Sequence, residues 1–492
     1  MDSLNNYLCY KNDIRNAALI IEHKSSEKIL YDLCANLKLD NIYLYSTSKE
    51  TLYNAKSYLS KKAQLSGVSI PTIQAHTYIK KIKFETPLQI DLVLFDSDVR
   101  QDAILSSLHA APTYLVGRVW RDFVPCFNIW EQARSVCSHI YIEDMIPAGK
   151  IDVLKWDRNP CSDIELSIVF PVYNVAKYLE KCITTVTAWK APYIEFLFVN
   201  DGSPDNSRDI IQQYQKKDPR IKIIDKPNGG CASARKKGLE CASGKYVGFV
   251  DPDDFIDEDM FRLLLSRAIM GNYDICYSGY NAYYENSGHT ERVDEALNWP
   301  YCNGTTNRNE ILQLFIYTRT AIWRGIYLAS FLRDNHITFQ ENIKRFDDLP
   351  FKLETLAKAR SVVSVPQYLY YYRLERPGQD VSCDDERLYV HFDIFKHLNQ
   401  TFGELQNQKI FDLLQMSKVQ AHCFVLRKIQ KKFVKEYCKQ ARNDFKANGM
   451  TIRRTLILMY RYFRFDNMLA YLSIMFGFTG AYIRRLERKG VR

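Results

Sequence analysis

The chain has 492 residues, too long for one ordinary domain, and its 46% hydrophobic and 25% charged residues are those of a soluble globular protein. The thirteen cysteines contain no CxxC pair and the nine histidines no HExxH or zinc-finger spacing, which excludes the common structural-metal motifs. The net charge of +10 is uneven: Thr401–Arg492 holds 19 Lys and Arg against 6 Asp and Glu, or +13, which leaves −3 for the remainder.

An odd number of scattered cysteines reads as reduced thiols in a cytosolic protein. The opening "MDSLNNYLCYKNDIRN" lacks a basic stretch followed by an apolar one, so no signal peptide is expected. Residues 1–155 then alternate short apolar runs with helical patterns. Strands are expected at Ala17–His23, Asn41–Thr47, Ile90–Asp96, Thr113–Gly117 and His139–Asp144. "SSEKILYDLCANL" and "SKETLYNAKSYLSKKA" read as helices with Ser or Thr caps. This alternation predicts a Rossmann-like α/β domain with a parallel sheet. No strand is followed by GxGxxG or GxxxxGK[ST], so the domain is expected to be structural or partner-binding, a candidate surface for homo-oligomers or an enzyme complex.

The polar, proline-containing stretch Lys155–Asp163 reads as a linker. A second α/β region, about 160–385, follows. "LSIVFPVYN", "IEFLFVNDGSPDNS", "IKIIDKPNGG" and "YVGFVDPDD" are strands running into loops, separated by helices at "YLEKCITTVTAW", "SRDIIQQYQKK" and "CASARKKGLECAS". Mixed helices and strands continue to about Cys383, and residues 386–492 read as a basic helical tail. There is no internal repeat.

Ligands of open parallel sheets bind outside the carboxyl ends of the strands. Three such ends here are polar: Pro171-Val172-Tyr173-Asn174, Asn200-Asp201-Gly202-Ser203 and Asp251-Pro252-Asp253-Asp254, with the basic loop "PNGGCASARKKG" between the last two. Tyr173 can stack on a base, and Asp201 can accept from a base or ribose donor. Arg235 can face an anion. Adjacent carboxylates repel unless a cation neutralises them, so Asp251 and Asp253 suit Mg²⁺ or Mn²⁺ together with phosphate oxygens. The ligand so implied is a nucleoside diphosphate derivative. The plainer alternative is a solvated turn whose aspartates cap the helix after "DDFIDEDMF".

"FPVYN", "FVNDGSPDNS", "NGGCASARKKGL" and "GKYVGFVDPDD", in this order, resemble the family-2 inverting glycosyltransferases of the GT-A fold, over about Glu165–Cys383. The resemblance implies transfer of a sugar from a nucleotide-sugar, a UDP-sugar by its base-contact positions, to an acceptor hydroxyl with inversion. It implies donor binding by Pro171, Tyr173, Asn174, Asp201, Arg235 and Asp251. The metal pair would be Asp251 and Asp253, with Asp253 the direct ligand. Two positions depart from the family pattern: Asn200 replaces the first Asp of a strand-end pair, and Lys236 replaces Asn after Ala-Arg. An inverting transfer needs a general base. "RFDDLPF" resembles the family's acidic pair, with Asp347 in place of Glu and Asp348 as the base; a helix cap is the alternative, since Asp and Pro350 both suit a first turn. "YLYYYRLERPGQDVS" resembles a segment that closes on the donor diphosphate, which makes Arg373, Arg376 and Ser382 candidates.

In the tail, Asn467–Ile483 carries no charge for 17 residues, while Arg453, Arg454, Arg461, Arg464, Arg484 and Arg485 flank it. That pattern suits an interfacial helix on anionic lipid, with helices packed on the catalytic domain as the alternative. No nucleic-acid motif accompanies it. The expected whole is a cytoplasmic enzyme, peripheral on the inner face of a bacterial cell membrane, acting on a glycan or lipid-linked acceptor of surface polysaccharide synthesis. A nucleotidyltransferase or a non-catalytic assembly protein are the rival readings.

Overall fold

The computed structural model describes residues 163–293 and 304–488 except 377–378, 380–381, 404, 448–450 and 463–466. Of the first part it describes 16–20, 30–31, 34–35, 39, 41–46, 48–66, 71–77, 92–95, 114–117, 139–146 and 151–157. The chain divides into two compact units, Met1–Asp163 with Ser266–Asn272, and Ile164–Leu265 with Tyr273–Arg492. The basic helical tail thus belongs to the second unit and is not a third.

The first unit holds a seven-stranded sheet of β1 (Asn16–Ile20), β2 (Asn41–Ser46), β3 (Thr72–Thr77), β4 (Leu92–Phe95), β5 (Tyr114–Gly117), β6 (His139–Ile146) and β7 (Ile151–Asp157), in the order β3-β2-β1-β4-β5-β7-β6. β1 to β5 run parallel, and β7 and β6 add an antiparallel edge. The reversal of strand order at β1 makes this a doubly wound sheet, as the alternation predicts. Helix α1 (Lys49–Ser66) starts where its cap signal lies, with Thr51 N–H donating to Ser48 Oγ at 3.2 Å. β3 and β7 were not legible: "TIQAHT" is too polar for an apolar run, and β7 extends through Lys155–Asp157 of the expected linker. Most of the expected helix over 25–37 lies outside the described residues.

The second unit opens with β8 (Leu166–Val172), α2 (Ala176–Val186), β9 (Ile194–Asn200), α3 (Ser207–Gln215), β10 (Ile221–Asp225), α4 (Cys231–Cys241) and β11 (Tyr246–Phe249). β12 (Phe255–Ile256), α5 (Met260–Gly271), β13 (Ile275–Tyr284), β14 (Thr290–Arg292), α6 (Arg308–Tyr317), β15 (Gly325–Leu328), α7 (Ala329–Asp334), α8 (Asp348–Lys358) and β16 (Val362–Leu374) follow. Its sheet has the order β10-β9-β8-β11-β15-β13-β16-β12, with β14 beside β13. β10, β9, β8 and β11 are parallel, and every residue of β8, β9 and β11 is buried, which is why these segments read as unbroken apolar runs. α4 lies close on this half: a Cβ at Gly238 would stand 2.2 Å from Val169 Cγ1, so glycine is what lets helix and strand approach. Beneath the loops, Phe339 and Phe351 stack at 4.5 Å, and Phe249 meets both edge-on at 5.2 and 5.5 Å.

The tail forms α9 (Val390–Gly403), α10 (Gln408–Lys428), α11 (Lys431–Ala447), α12 (Ile452–Arg461), α13 (Met468–Phe476) and α14 (Thr479–Arg488). The uncharged 17-residue run is not one interfacial helix. Gly477, at φ 81°, ends α13, and α14 begins two residues later. α13 buries Ala470, Tyr471, Ser473 and Ile474, and Asn467 is buried where it accepts from Arg427 at 2.6 Å. Arg454 turns inward onto Asp412 at 2.5 Å, with Arg461 4.0 Å from the same carboxylate. Arg464 lies outside the described residues. Among the described residues no helix is long and apolar enough to cross a membrane. The packed-helix alternative therefore accounts for most of the tail.

Candidate active site

The carboxyl ends of β8, β9 and β11 bring the three polar loops together, and the reasons are local. Pro171 is buried within β8, paired opposite Val199, and so shapes the strand without facing solvent. Two groups of that loop are exposed: Tyr173, at 48%, and Asn174, which sits in the left-handed region at φ 55°, a conformation asparagine tolerates. Past β9, Asp201 is buried. Its carboxylate accepts from Lys226 Nζ at 2.5 Å and Gly229 N at 2.9 Å on Oδ1, and from Gly230 N at 2.7 Å on Oδ2. Asp201 therefore holds the Pro-Asn-Gly-Gly loop, leaving one acceptor site of about four. Gly230, at φ 89°, turns that loop into α4. Asn200 is used structurally too, donating to Asp225 at 2.8 Å.

Arg235 departs most from expectation. It is 5% exposed, inside α4, and does not face an open anion site. Nη2 meets Asp251 Oδ1 at 2.6 Å, Nη1 meets Asp347 Oδ2 at 2.9 Å, and the guanidinium lies 5.9 Å over the Phe339 ring. Burial works against its charge, but Asp347 and Asp251 outweigh that and raise its proton affinity further. One guanidinium thus ties the end of β11 to the start of α8.

The acid cluster after β11 is not a helix cap. The chain makes a turn, with Asp254 N donating to Asp251 O at 2.9 Å, and then enters β12. Asp254 is fully buried, accepting from Tyr370 Oη and from Arg373 N, each at 2.7 Å. Burial, then Asp253 and Asp251, push its carboxyl well above the usual carboxylate range. Asp253 is buried with its carboxylate on Arg376; burial raises it, Arg376 opposes and Asp251 adds.

Arg373 and Arg376 are placed differently from the expectation that both meet a diphosphate. Arg373 is 4% exposed and enclosed by the rings of Tyr178, Phe255 and Tyr283 at 4.9 to 5.5 Å. Its Nε donates to Asp253 O at 2.6 Å and it pairs with Glu285, so it supports the acid turn from behind. Arg376 is partly exposed on Asp253. Ser382 is exposed and donates to Gln379 O at 2.7 Å. Tyr370 and Glu285 were not singled out in the sequence; the only trace was the tyrosine alternation of "YLYYY", which places Tyr370 and Tyr372 on one face of β16. Trp323 stacks on both, at 4.1 and 5.3 Å.

At the start of α8, Asp347 occupies the capping position, yet its side chain makes no cap hydrogen bond and is committed to Arg235. Asp348 is the first helical residue and half-buried. Burial, then Asp347, push its carboxyl up to about 7, with Arg235 restraining the rise. Phe346, just before, sits at φ 52°, a conformation a bulky residue adopts only when its surroundings impose it. Its ring lies 5.0 Å from His391, which burial holds neutral down to about 4.

This arrangement has relatives. Residues 167–327 match the model of Glycosyl transferase family 2. GlyG, a glycosyltransferase of Streptococcus pneumoniae serotype 4, is 34% identical over 217 residues, covering 42% of this chain and 70% of GlyG. The chain belongs to glycosyl transferase family 2. The uncharacterized glycosyltransferase EpsJ of Bacillus subtilis is 33% identical over 218 residues, 43% of this chain, and the chain spans 62% of EpsJ's length. The crystal structure of S. aureus TarS 1-349 in complex with UDP-GlcNAc is similar in fold, at TM-score 0.50 and 20% identity, covering 64% of this chain and 92% of that one. The GT-A fold thus holds for the second unit.

The Arg235 bridge generates a stability prediction. Arg235→Met leaves two carboxylates without their shared counter-charge, which is expected to cost about 3–5 kcal/mol. Arg235→Lys keeps the charge but cannot fork to both partners, and is expected to fall between. Urea denaturation measures both; a Met variant as stable as the parent would show that the bridge holds nothing.

Proposed function

We propose that the second unit transfers a sugar from a nucleotide-sugar, a UDP-sugar, to a hydroxyl of a glycan or lipid-linked acceptor in bacterial surface polysaccharide synthesis, with inversion. The observation that carries this reading is Asp348: a half-buried carboxyl poised near neutrality, coupled through Asp347 and Arg235 to the acid turn after β11. A base works best when its proton affinity lies near the operating pH. Asp348 takes the proton of the acceptor hydroxyl as it attacks, and the nucleoside diphosphate leaves on the Asp251 side. Tyr173 offers its exposed ring to the base, and Asp201 holds the loop beside it.

The acid turn fits a hard divalent cation, Mn²⁺ or Mg²⁺. Asp253 and Asp251 would hold it, and the partner Asp253 has taken in the protein alone is itself a cation, Arg376. When bound, the ion supplies positive charge to the leaving diphosphate. Arg376, which pairs with Asp253 in the protein alone, would then be placed to meet phosphate oxygens.

Ile457 and Tyr460, 50 and 71% exposed, share α12 with the exposed Arg453, while Phe476 and Phe478, 56 and 66% exposed, stand at the break before α14, which exposes Arg484 and Arg485. Apolar rings beside arginines complement an anionic bilayer surface, and we assign this part of the tail to membrane contact.

The base assignment predicts a transfer rate that rises with pH through about 7 and levels above it, because the working form of Asp348 is the carboxylate. Asp348→Asn should lower transfer by about 10²- to 10⁴-fold and abolish that limb, with donor affinity nearly unchanged. Asp347→Asn should cost less; if it is instead the inactive variant, the roles of the pair are exchanged. For the metal, calorimetry of UDP binding with Mn²⁺ should show the metal-dependent part lost in Asp253→Asn, and unchanged affinity removes Asp253 from the site. For the tail, truncation after Thr451 should release the protein from anionic liposomes in flotation; indifference to truncation or to lipid charge rules out the membrane contact.

A further inference from the structure

A second candidate site lies away from the carboxylates. α6, α10 and the end of α12 border a cleft of about 620 Å³, within the range that takes a small-molecule or oligosaccharide-sized ligand. Every described residue lining it is polar. Gln313 and Tyr317 come from α6, where Asn309, Gln313 and Tyr317 form one stripe at four-residue spacing. Lys409 and Asp412 come from the first turns of α10, and Arg461 and Tyr462 from the end of α12. The Tyr317 hydroxyl donates to Tyr462 O at 2.8 Å, joining two walls.

Among the described residues the charge in this cleft is unbalanced. Their one lining carboxylate, Asp412, is 8% exposed and already taken: Arg454 donates to Oδ1 at 2.5 Å, Gln408 to Oδ1 at 3.0 Å, and Arg461 stands 4.0 Å from Oδ2. Two cations, Arg454 and Arg461, thus share one acid, and a third, Lys409, lines the same cleft. The Lys409 ammonium bonds a neutral partner, Asn309 Oδ1. Its proton affinity is lowered by burial, then by the like charges of Arg308 and Arg461. Arg308 directs its own guanidinium to the last carbonyls of α8, at 2.9 Å to Leu356 O and 3.0 Å to Ala359 O. Among the described residues the surplus positive charge on the cleft walls is thus that of Lys409 and of Arg461, which shares Asp412 with Arg454.

We propose that this cleft binds a phosphodiester-bearing stretch of the acceptor chain. A fork-shaped guanidinium and a point-charge ammonium on facing walls suit phosphate oxygens. The glutamine and tyrosine groups between them suit the hydroxyls of a sugar or polyol. The placement fits an acceptor held at two points. α6 runs against α8, with Lys352 Nζ donating to Phe315 O at 3.3 Å and Thr318 O at 2.5 Å, one turn beyond Asp348. A single helix, about 10 Å across, separates the cleft from the helix that carries the base. A chain whose terminal hydroxyl lies at Asp348 can reach over α6 and leave a more distant anionic group in the cleft. The word acceptor rests on the transfer reading; the anion site does not.

The experiment uses the full chain and a glycerol phosphodiester oligomer as probe, by calorimetry at low salt. Lys409→Gln combined with Arg461→Gln removes the two unbalanced charges; Arg461 is 60% exposed, and matched thermal melts check that the fold is kept. The expected result is binding at least about tenfold weaker in the double variant, since two charged contacts of even modest strength exceed one decade. Binding to the parent should weaken with added salt. UDP binding with Mn²⁺ should be equal in both proteins. Equal oligomer binding by parent and variant overturns the proposal, as does equally tight binding of a neutral dextran oligomer of the same length. If the double variant loses only its binding to phosphatidylglycerol vesicles, the cleft takes a lipid headgroup and the glycan assignment falls. A parent that binds the oligomer but neither UDP nor UDP-sugars refutes the transferase reading alone.

Discussion

The guanidinium of Arg235 is the constraint on which the site depends. It is buried in α4, and a buried charge is costly unless it is paired and hydrogen-bonded. Its two partners come from distant parts of the chain, Asp251 after β11 and Asp347 before α8. One contact at each end of a planar fork fixes distance and orientation together. The acid turn on the donor side and the carboxylate on the acceptor side are therefore set against each other by one side chain. The same charge restrains the rise of Asp348, whose surroundings would otherwise hold its proton more tightly.

A second arrangement of the same kind stands behind the acid turn. Asp254 and Arg373 are buried together, joined through backbone N–H, and Arg373 is enclosed by three aromatic rings. Neither is free for ligand; together they hold the turn that carries Asp253 and Asp251. Of the arginines in this region, the buried ones act on the protein and the partly exposed Arg376 is left to act on what arrives. Burial, and not residue type, separates the two jobs.

Much of this was legible in the sequence. Fully buried parallel strands announce themselves as apolar runs, so β8, β9 and β11 and the loops after them could be placed without coordinates. The doubly wound sheet of the first unit was readable from short apolar runs alternating with helical patterns, apart from the polar β3 and the hairpin partner β7. The carboxylates were readable because adjacent acids at a strand end need a cation. What sequence could not supply was the partner of each arginine. Arg235 meets Asp347 across 112 positions and Arg373 meets Asp253 across 120, and no local pattern encodes a pairing at that separation. The tail was only partly legible for a related reason: an uncharged run flanked by arginines is compatible with lipid, but Gly477 divides it into two helices and Arg454 is spent on Asp412.

The left-handed backbone at Phe346 bears on how this segment can change length. From Phe346 the chain enters α8 at once, and each helical residue turns the side-chain direction by about 100°. Inserting or deleting one residue between Phe346 and Asp348 would swing both carboxylates away, one from Arg235 and the other from the acceptor side. Side-chain identity at 346 has some latitude, because backbone geometry is what the position supplies. The number of residues from 346 to 348 has none, so loop-length variation around this site must be confined to segments before Phe346 or after α8.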